Sequence, residues 1–230
     1  MRAAKKKRAG PGRPEGASVA REKILGAAEE TFAQHGYTGT SLRQIVERAD
    51  VTQALVTYYF GSKDALFREV FLKRGREIAA KRLAALAVLR ASGRQLSLEE
   101  VIAAYLKPAL EMRRTREGRA FIRLQARMHT EPMRFADGLR REVYDETARQ
   151  YVTAVRKAAP HLSVRTAYWR MALVIGAYLY AHSDAHRLEE LSAGVCSTDD
   201  LDEMLEQITA FVVGGLMAPD TRSTKRRAVA

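Results

Sequence analysis

An all-α fold of about nine helices is predicted for this 230-residue chain: a three-helix head, a long connecting helix and a larger helical domain. Three observations lead there. Apolar residues recur at helical spacing along almost the whole sequence, and no stretch shows the alternation of a half-buried strand. The gaps between the periodic segments carry helix punctuation, as at Gly36, Ser62, Ser97, Pro160 and Ser163. A composition that is 47% hydrophobic supplies the apolar surface for a core.

Element by element, the first helix starts near Ser18, carries Ile24, Leu25, Ala28 and Phe32 on one face, and stops at Gly36. The second takes Thr40 as its N-cap and turns Leu42, Ile45, Val46 and Ala49 inward; Asp50 makes the following turn. Thr52 caps the third, whose inner side is Leu55, Val56 and Tyr59. Ser62 caps the fourth, with Asp64 in its first turn and a stripe of Leu66, Phe67, Val70, Phe71, Ile78, Leu83 and Leu86. It spans on the order of 40 Å. After a break at residues 91–94, Ser97 and Glu100 form a capping box for the fifth. The sixth covers about 118–130, the seventh 135–159 and the eighth, capped by Ser163, about 164–183. The ninth carries Leu201, Leu205, Ile208, Phe211, Val212 and Leu216. The chain divides accordingly into a basic arm (1–17), the head (18–62), the connector (63–90), the large domain (91–219) and a basic tail (220–230), both ends reading as disordered.

A formal net charge of +12 and a pI near 10.0 call for a polyanionic partner, nucleic acid or an anionic membrane face. Lys5, Lys6, Lys7 and Arg8 at one end and Lys225, Arg226 and Arg227 at the other concentrate that charge. The basic start leads into Gly, Pro and Glu with no apolar export segment, and the apolar run 171–181 is shorter than the roughly 20 residues a membrane span needs. The single cysteine, Cys196, excludes an internal disulfide and fits a reducing cytoplasm. No paired carboxylates, nucleophile elbow or Gly-rich phosphate loop supports an enzyme, and no cofactor is implied. His182 and His186 have chelating spacing around Asp184 but lack a third ligand, so no metal is expected. A basic membrane-surface protein is the rival class; it accounts for the tails but not for residues 40–63.

Those residues have the layout of a helix-turn-helix for the major groove. With Leu55, Val56 and Tyr59 turned inward, Gln53, Ala54 and Thr57 face out, as side chains that reach base edges. Tyr58 and Lys63 suit phosphates. The order Gly36-Tyr37-Thr38-Gly39-Thr40-Ser41-Leu42, then Ala49-Asp50-Val51-Thr52 and Tyr58-Tyr59-Phe60-Gly61-Ser62-Lys63 resembles the amino-terminal signature of TetR-family transcriptional regulators. Asp50 stands where that family usually has Gly, and Thr57 where Tyr or Asn is common, so no operator sequence can be carried over. The resemblance implies a homodimer on double-stranded DNA carrying a palindromic operator, with a ligand pocket in the carboxy-terminal domain. It also implies base contacts from Arg43, Gln53, Ala54 and Thr57 and phosphate contacts from Thr40, Tyr58, Tyr59 and Lys63.

The order Ser97-Leu98-Glu99-Glu100, Val143-Tyr144-Asp145-Glu146, Ala158-Ala159-Pro160, Tyr168-Trp169-Arg170 and Gly214-Gly215-Leu216-Met217 is similar to the fatty-acid-responsive, PsrA-like branch of that family, which implies a small hydrophobic or amphipathic effector such as a fatty acid or acyl-CoA. Pocket candidates are Tyr105, Met112, Phe121, Gln125, Met128, Tyr144, Tyr151 and Trp169, of which roughly a third should touch a ligand and the rest form core. Gln125 stands out as an amide on an apolar face. Arg116, Arg119, Arg123 and Arg127 form a basic stripe, read as a solvated or interdomain face with an acidic ligand as the alternative. The eighth and ninth helices, through Ala172, Leu173, Ile175, Gly176, Leu179, Leu205, Ile208, Val212 and Gly215, are expected to form the dimer interface. The function expected is a ligand-released repressor, with an activator of the same fold as the alternative.

Overall fold

The computed structural model describes residues 15–128, 136–181 and 187–220, and these are helical throughout with no strand. Ten helices occur among them rather than nine, because the segment read as a loop around Leu188 contains a short helix. They are α1 (Glu15–Gly39), α2 (Leu42–Ala49), α3 (Gln53–Phe60), α4 (Lys63–Ala91), α5 (Leu98–Met112), α6 (Arg116–Arg127), α7 (Ala136–Ala158), α8 (Val164–Ala181), α9 (Arg187–Leu191) and α10 (Leu201–Met217). The amino-terminal arm up to residue 14, His182, His186 and the basic tail from residue 221 lie outside the described residues.

The head is closed by α1–α3 and the start of α4. Ile24, Ala28, Phe32, Ile45, Val56, Leu66 and Phe67 are buried together, and the Phe67 ring meets Phe32 edge-on at 4.9 Å. Gly36 breaks α1 with φ 70°, a left-handed conformation that glycine enters without a Cβ penalty. The cap of α2 is Ser41, not Thr40: Ser41 and Gln44 form a reciprocal capping box. Thr40 is buried and donates its hydroxyl to the Gly36 and Thr31 carbonyls, which ties the broken end of α1 to the entry of α2. Asp50 takes the turn between α2 and α3 at φ 51°, ψ 55°, Thr52 caps α3 and Ser62 caps α4.

At 29 residues α4 runs from the head into the large domain, where it packs on α5 and α7. Phe71 stands at the crossing, with Phe121 of α6 at 5.6 Å and Tyr144 of α7 at 6.0 Å. α6 lies along α1: Arg116 pairs with Glu30 at 3.0 Å, and Arg127 donates to the Gln34 carbonyl. The arginine stripe is therefore at least in part an interdomain seam. Gly118, capped by Thr115, lets α6 close on α5; a Cβ there would lie 1.9 Å from the Met112 carbonyl oxygen.

α10 packs on α5 and α8. Asp220, assigned to the tail from sequence, instead accepts from the Ser163 amide and the Thr166 hydroxyl at the start of α8, while Arg170 donates to the Leu216, Ala218 and Pro219 carbonyls. The α8 and α10 faces differ from the expected ones. Leu179, Ile208 and Val212 are buried within the chain and Ile175 packs against that core. The stripe that remains outside is Tyr168, Trp169, Ala172, Leu173, Gly176 and Tyr180, with Phe211 and Gly215 on α10.

Candidate nucleic-acid interface and effector cavity

The outer face of α3 is built by what its inner face buries. Val56 and Phe60 enter the core and Leu55 and Tyr59 pack against it, which forces Gln53, Ala54, Thr57 and Tyr58 to the opposite side, all exposed. Tyr58 is 80% exposed, an unusual position for an aromatic ring. Of the other residues expected to contact DNA, Arg43 is exposed beside α3 and donates to Glu47 one turn on at 2.8 Å. Tyr59 is half-buried and edges against Tyr58 at 5.2 Å. Lys63 opens α4 with its ammonium 4.3 Å from the centre of the Tyr37 ring, while Tyr37 donates to Asp64. Partial burial holds the Lys63 amine below its ordinary pKa. Thr40 leaves the set, since its hydroxyl points inward. The exposed candidates are then the outer face of α3 and Arg43, with Lys63 partly buried at the start of α4.

A cavity of about 460 Å³ lies in the large domain. Its lining comes from five helices: Arg82 of α4, Tyr105 of α5, Gln125 of α6, Arg140, Arg141, Tyr144, Asp145 and Ala148 of α7, and Ile175 and Tyr178 of α8. Three of the eight expected pocket residues, Tyr105, Gln125 and Tyr144, line it. Met112, Phe121, Met128 and Tyr151 are buried in the core but do not reach it, and Trp169 is exposed on α8. Gln125 is satisfied inside the chain, because its amide donates to the Tyr144 hydroxyl at 2.8 Å and accepts from Tyr178 at 2.6 Å.

The residue missed from sequence is Arg82. It is 1% exposed, its Nε donates to the Tyr105 carbonyl at 2.8 Å, and its guanidinium lies 3.8 Å from the Tyr105 ring centre and 5.4 Å from that of Tyr178. Its Nη2 has no hydrogen-bond partner among the described residues, and the ionisable groups that act on it most are the tyrosines Tyr105, Tyr178, Tyr144 and Tyr151. The neighbouring phenols cannot supply the charge. Burial raises the Tyr144 hydroxyl far above its usual range and pushes Tyr178 up to about 12 against the lowering pull of Arg82, so both stay neutral at physiological pH. The signal was present in the sequence: Arg82 falls between Ile78 and Leu86 on the buried stripe of α4, where an aliphatic residue is the default.

Among the described residues no cluster of metal-ligating side chains occurs, and no helix is long and apolar enough to cross a membrane.

Comparison with known proteins agrees with this architecture. The family model described as bacterial regulatory proteins, tetR family, matches residues 24–70, and that described as tetracyclin repressor-like, C-terminal domain, matches residues 103–215. The two cover the head and the large domain in turn, and the chain belongs to the TetR family of bacterial regulatory proteins. The HTH-type transcriptional regulator RutR of Escherichia coli (strain K12) is 48% identical over 50 residues, 22% of this chain and 24% of that protein, so the match spans about a quarter of that relative's length. The HTH-type transcriptional regulator BetI of Agrobacterium fabrum is 26% identical over 88% of this chain and 95% of its own. Among solved structures, the fatty acid degradation regulator FadR from Bacillus halodurans superposes with a TM-score of 0.61 over 84% of this chain and 98% of that one. At 13% identity it shares the fold alone.

Proposed function

We propose that this protein is a ligand-responsive transcriptional regulator, a homodimer that represses by holding a palindromic operator and is released when a small effector fills the α4–α8 cavity. The observation that carries the reading is the outer face of α3. Gln53, Ala54, Thr57 and Tyr58 stand in solvent on a short helix whose other side is locked into a core. Gln pairs with adenine edges, Ala packs on a thymine methyl and Arg43 suits guanine, while Lys63 and Tyr58 supply phosphate contacts that fix the register. A net charge of +12 supports a polyanionic partner.

The second copy is supplied by the exposed stripe of α8 and α10. Trp169, Leu173, Tyr180 and Phe211 are 64%, 68%, 67% and 75% exposed, a contiguous apolar face of the kind that marks an interface. Small residues at Ala172, Gly176 and Gly215 let the helices of two copies approach closely, as in a four-helix interface across a two-fold axis. Two heads must then sit about 34–36 Å apart to enter successive major grooves. The cavity wall reaches the head through packed aromatics: Tyr144 on Phe71, Phe71 on Phe67, and Phe67 on Phe32. The seam of α6 on α1 gives a second route. An effector that binds better when the heads are spread lowers operator affinity, since only differential affinity shifts the population.

Gel-shift titrations on an operator and a scrambled duplex test the assignment. Lys63→Ala should weaken both alike, whereas Gln53→Ala should relax preference at one base position; equal losses on both duplexes for Gln53→Ala contradict it.

A further inference from the structure

A buried guanidinium with no carboxylate beside it among the described residues is the unusual feature of the large domain. Arg82 lines the cavity and its Nη2 is buried with no hydrogen-bond partner among the described residues, while its Nε donates to the Tyr105 carbonyl and its guanidinium stacks near the Tyr105 and Tyr178 rings. A second donor lies in the same cavity. The Tyr144 hydroxyl accepts from Gln125 and donates to nothing among the described residues, so its proton is free to be given away. The rest of the lining tilts the same way: Arg140 and Arg141 add positive charge, and the one lining carboxylate, Asp145, is 3.6 Å from Arg149, a residue that does not line the cavity. Around these groups the walls are the Tyr105 and Tyr178 rings, Ile175 and Ala148. The volume, about 460 Å³, falls in the lower half of the range for sites that enclose a small molecule.

We propose that this cavity is a carboxylate-recognition site, in which Arg82 Nη2 and the Tyr144 hydroxyl hold the two oxygens, and that the effector is a compact organic acid with an aromatic or short aliphatic body. The proposal rests on the ligand-switched reading above and narrows it. A free acid directs its carboxylate toward Arg82 and the Tyr144 hydroxyl and lays its body against the Tyr105 and Tyr178 rings. An acyl thioester with a nucleotide carrier has no carboxylate to give Arg82. Because Arg82 belongs to α4, the same helix that enters the head, the anion would act directly on the connecting rod.

Isothermal titration of the full chain with acetate, benzoate and octanoate, each beside its primary amide, tests the site. Benzoate or octanoate should bind at least about tenfold more tightly than its amide. Arg82→Gln should bring that acid down to the affinity of the amide, and Tyr144→Phe should weaken it about threefold. Arg82→Lys, which keeps a charge, should retain part of the preference, and circular dichroism should be unchanged in all three variants. Acid and amide binding alike, Arg82→Gln retaining the preference, or no acid binding up to about 10 mM would each overturn the proposal. A parallel titration on a duplex selected by this chain separates the two readings. Acids that bind through Arg82 yet leave DNA affinity unchanged uphold the site and sink the ligand-switched regulator. Release by an amide that Arg82→Gln does not impair upholds the switch and sinks the carboxylate site.

Discussion

The head and the large domain use their polar residues in opposite directions. In the head, the apolar faces of α1–α3 close on one another, and the polar residues of α3 are simply what is left outside; Tyr58 and Gln53 make no bond that the fold requires. In the large domain the informative polar groups are inside. Arg82, Gln125, Tyr144 and Tyr178 form one connected set around the cavity, where each missing partner leaves a donor or acceptor unsatisfied in a low-dielectric interior. An outward site can therefore change without disturbing the fold, whereas an inward site is coupled to stability.

The largest effect that sharpens this contrast is expected at Gly118. Gly118→Ala drives a Cβ into the Met112 carbonyl and should cost about 3 kcal/mol in urea unfolding, because backbone and not a flexible side chain must move. Gln53→Ala comes next and separates the two regions most cleanly. It should remove about 1–3 kcal/mol of discrimination at one operator position while the melting temperature stays put, and a large loss of stability would break the comparison. Tyr178→Phe takes away the hydroxyl that Gln125 accepts from and should lower stability by about 1–2 kcal/mol with DNA affinity in the absence of effector little changed. A smaller gain is expected from Asp50→Gly, about 1 kcal/mol, since Asp50 holds a left-handed turn that glycine occupies freely.

The smallest effect is in acid. Arg94 and the Ser97 amide hold the Glu100 carboxyl down at about 2, so its contribution is complete above the ordinary glutamate range and is lost as pH falls from there through about 2. Glu100→Gln should flatten that limb of the stability curve slightly and leave neutral pH nearly unaffected. The pair is exposed to solvent, which keeps the difference small.

How far each region could be read in advance follows from the same contrast. The head was legible because its signals are local: Thr52 and Ser62 sit at caps, Asp50 at the turn, and the outward residues of α3 follow from helical period alone. Thr40 was misread as a cap because its neighbour Ser41 competes for the role, and only the fold shows which hydroxyl turns inward. The cavity draws residues from five helices, so no single stretch contains it. Tyr105, Gln125 and Tyr144 could be guessed as aromatic or amide groups on buried faces, but nothing local separates them from Phe121 or Tyr151, which pack as core. Arg82 was skipped since a stripe is read by its apolar members, and Trp169 was placed inside because large aromatics usually are, whereas α8 turns it to solvent. On α10, Phe211 and Val212 are adjacent in sequence, yet one is exposed and the other buried, a choice made by the packing of α5 and α8.

The most direct test is selection of duplexes from random sequence by the full chain, followed by anisotropy titration of the enriched sequence and a scrambled control at several salt concentrations. A palindrome with half-sites about one helical turn apart should be enriched and bound at least about 10³-fold more tightly than the control, with a ratio that Gln53→Ala reduces. Failure to enrich any sequence, with both duplexes bound equally at every salt concentration, would contradict a DNA-reading role for α3.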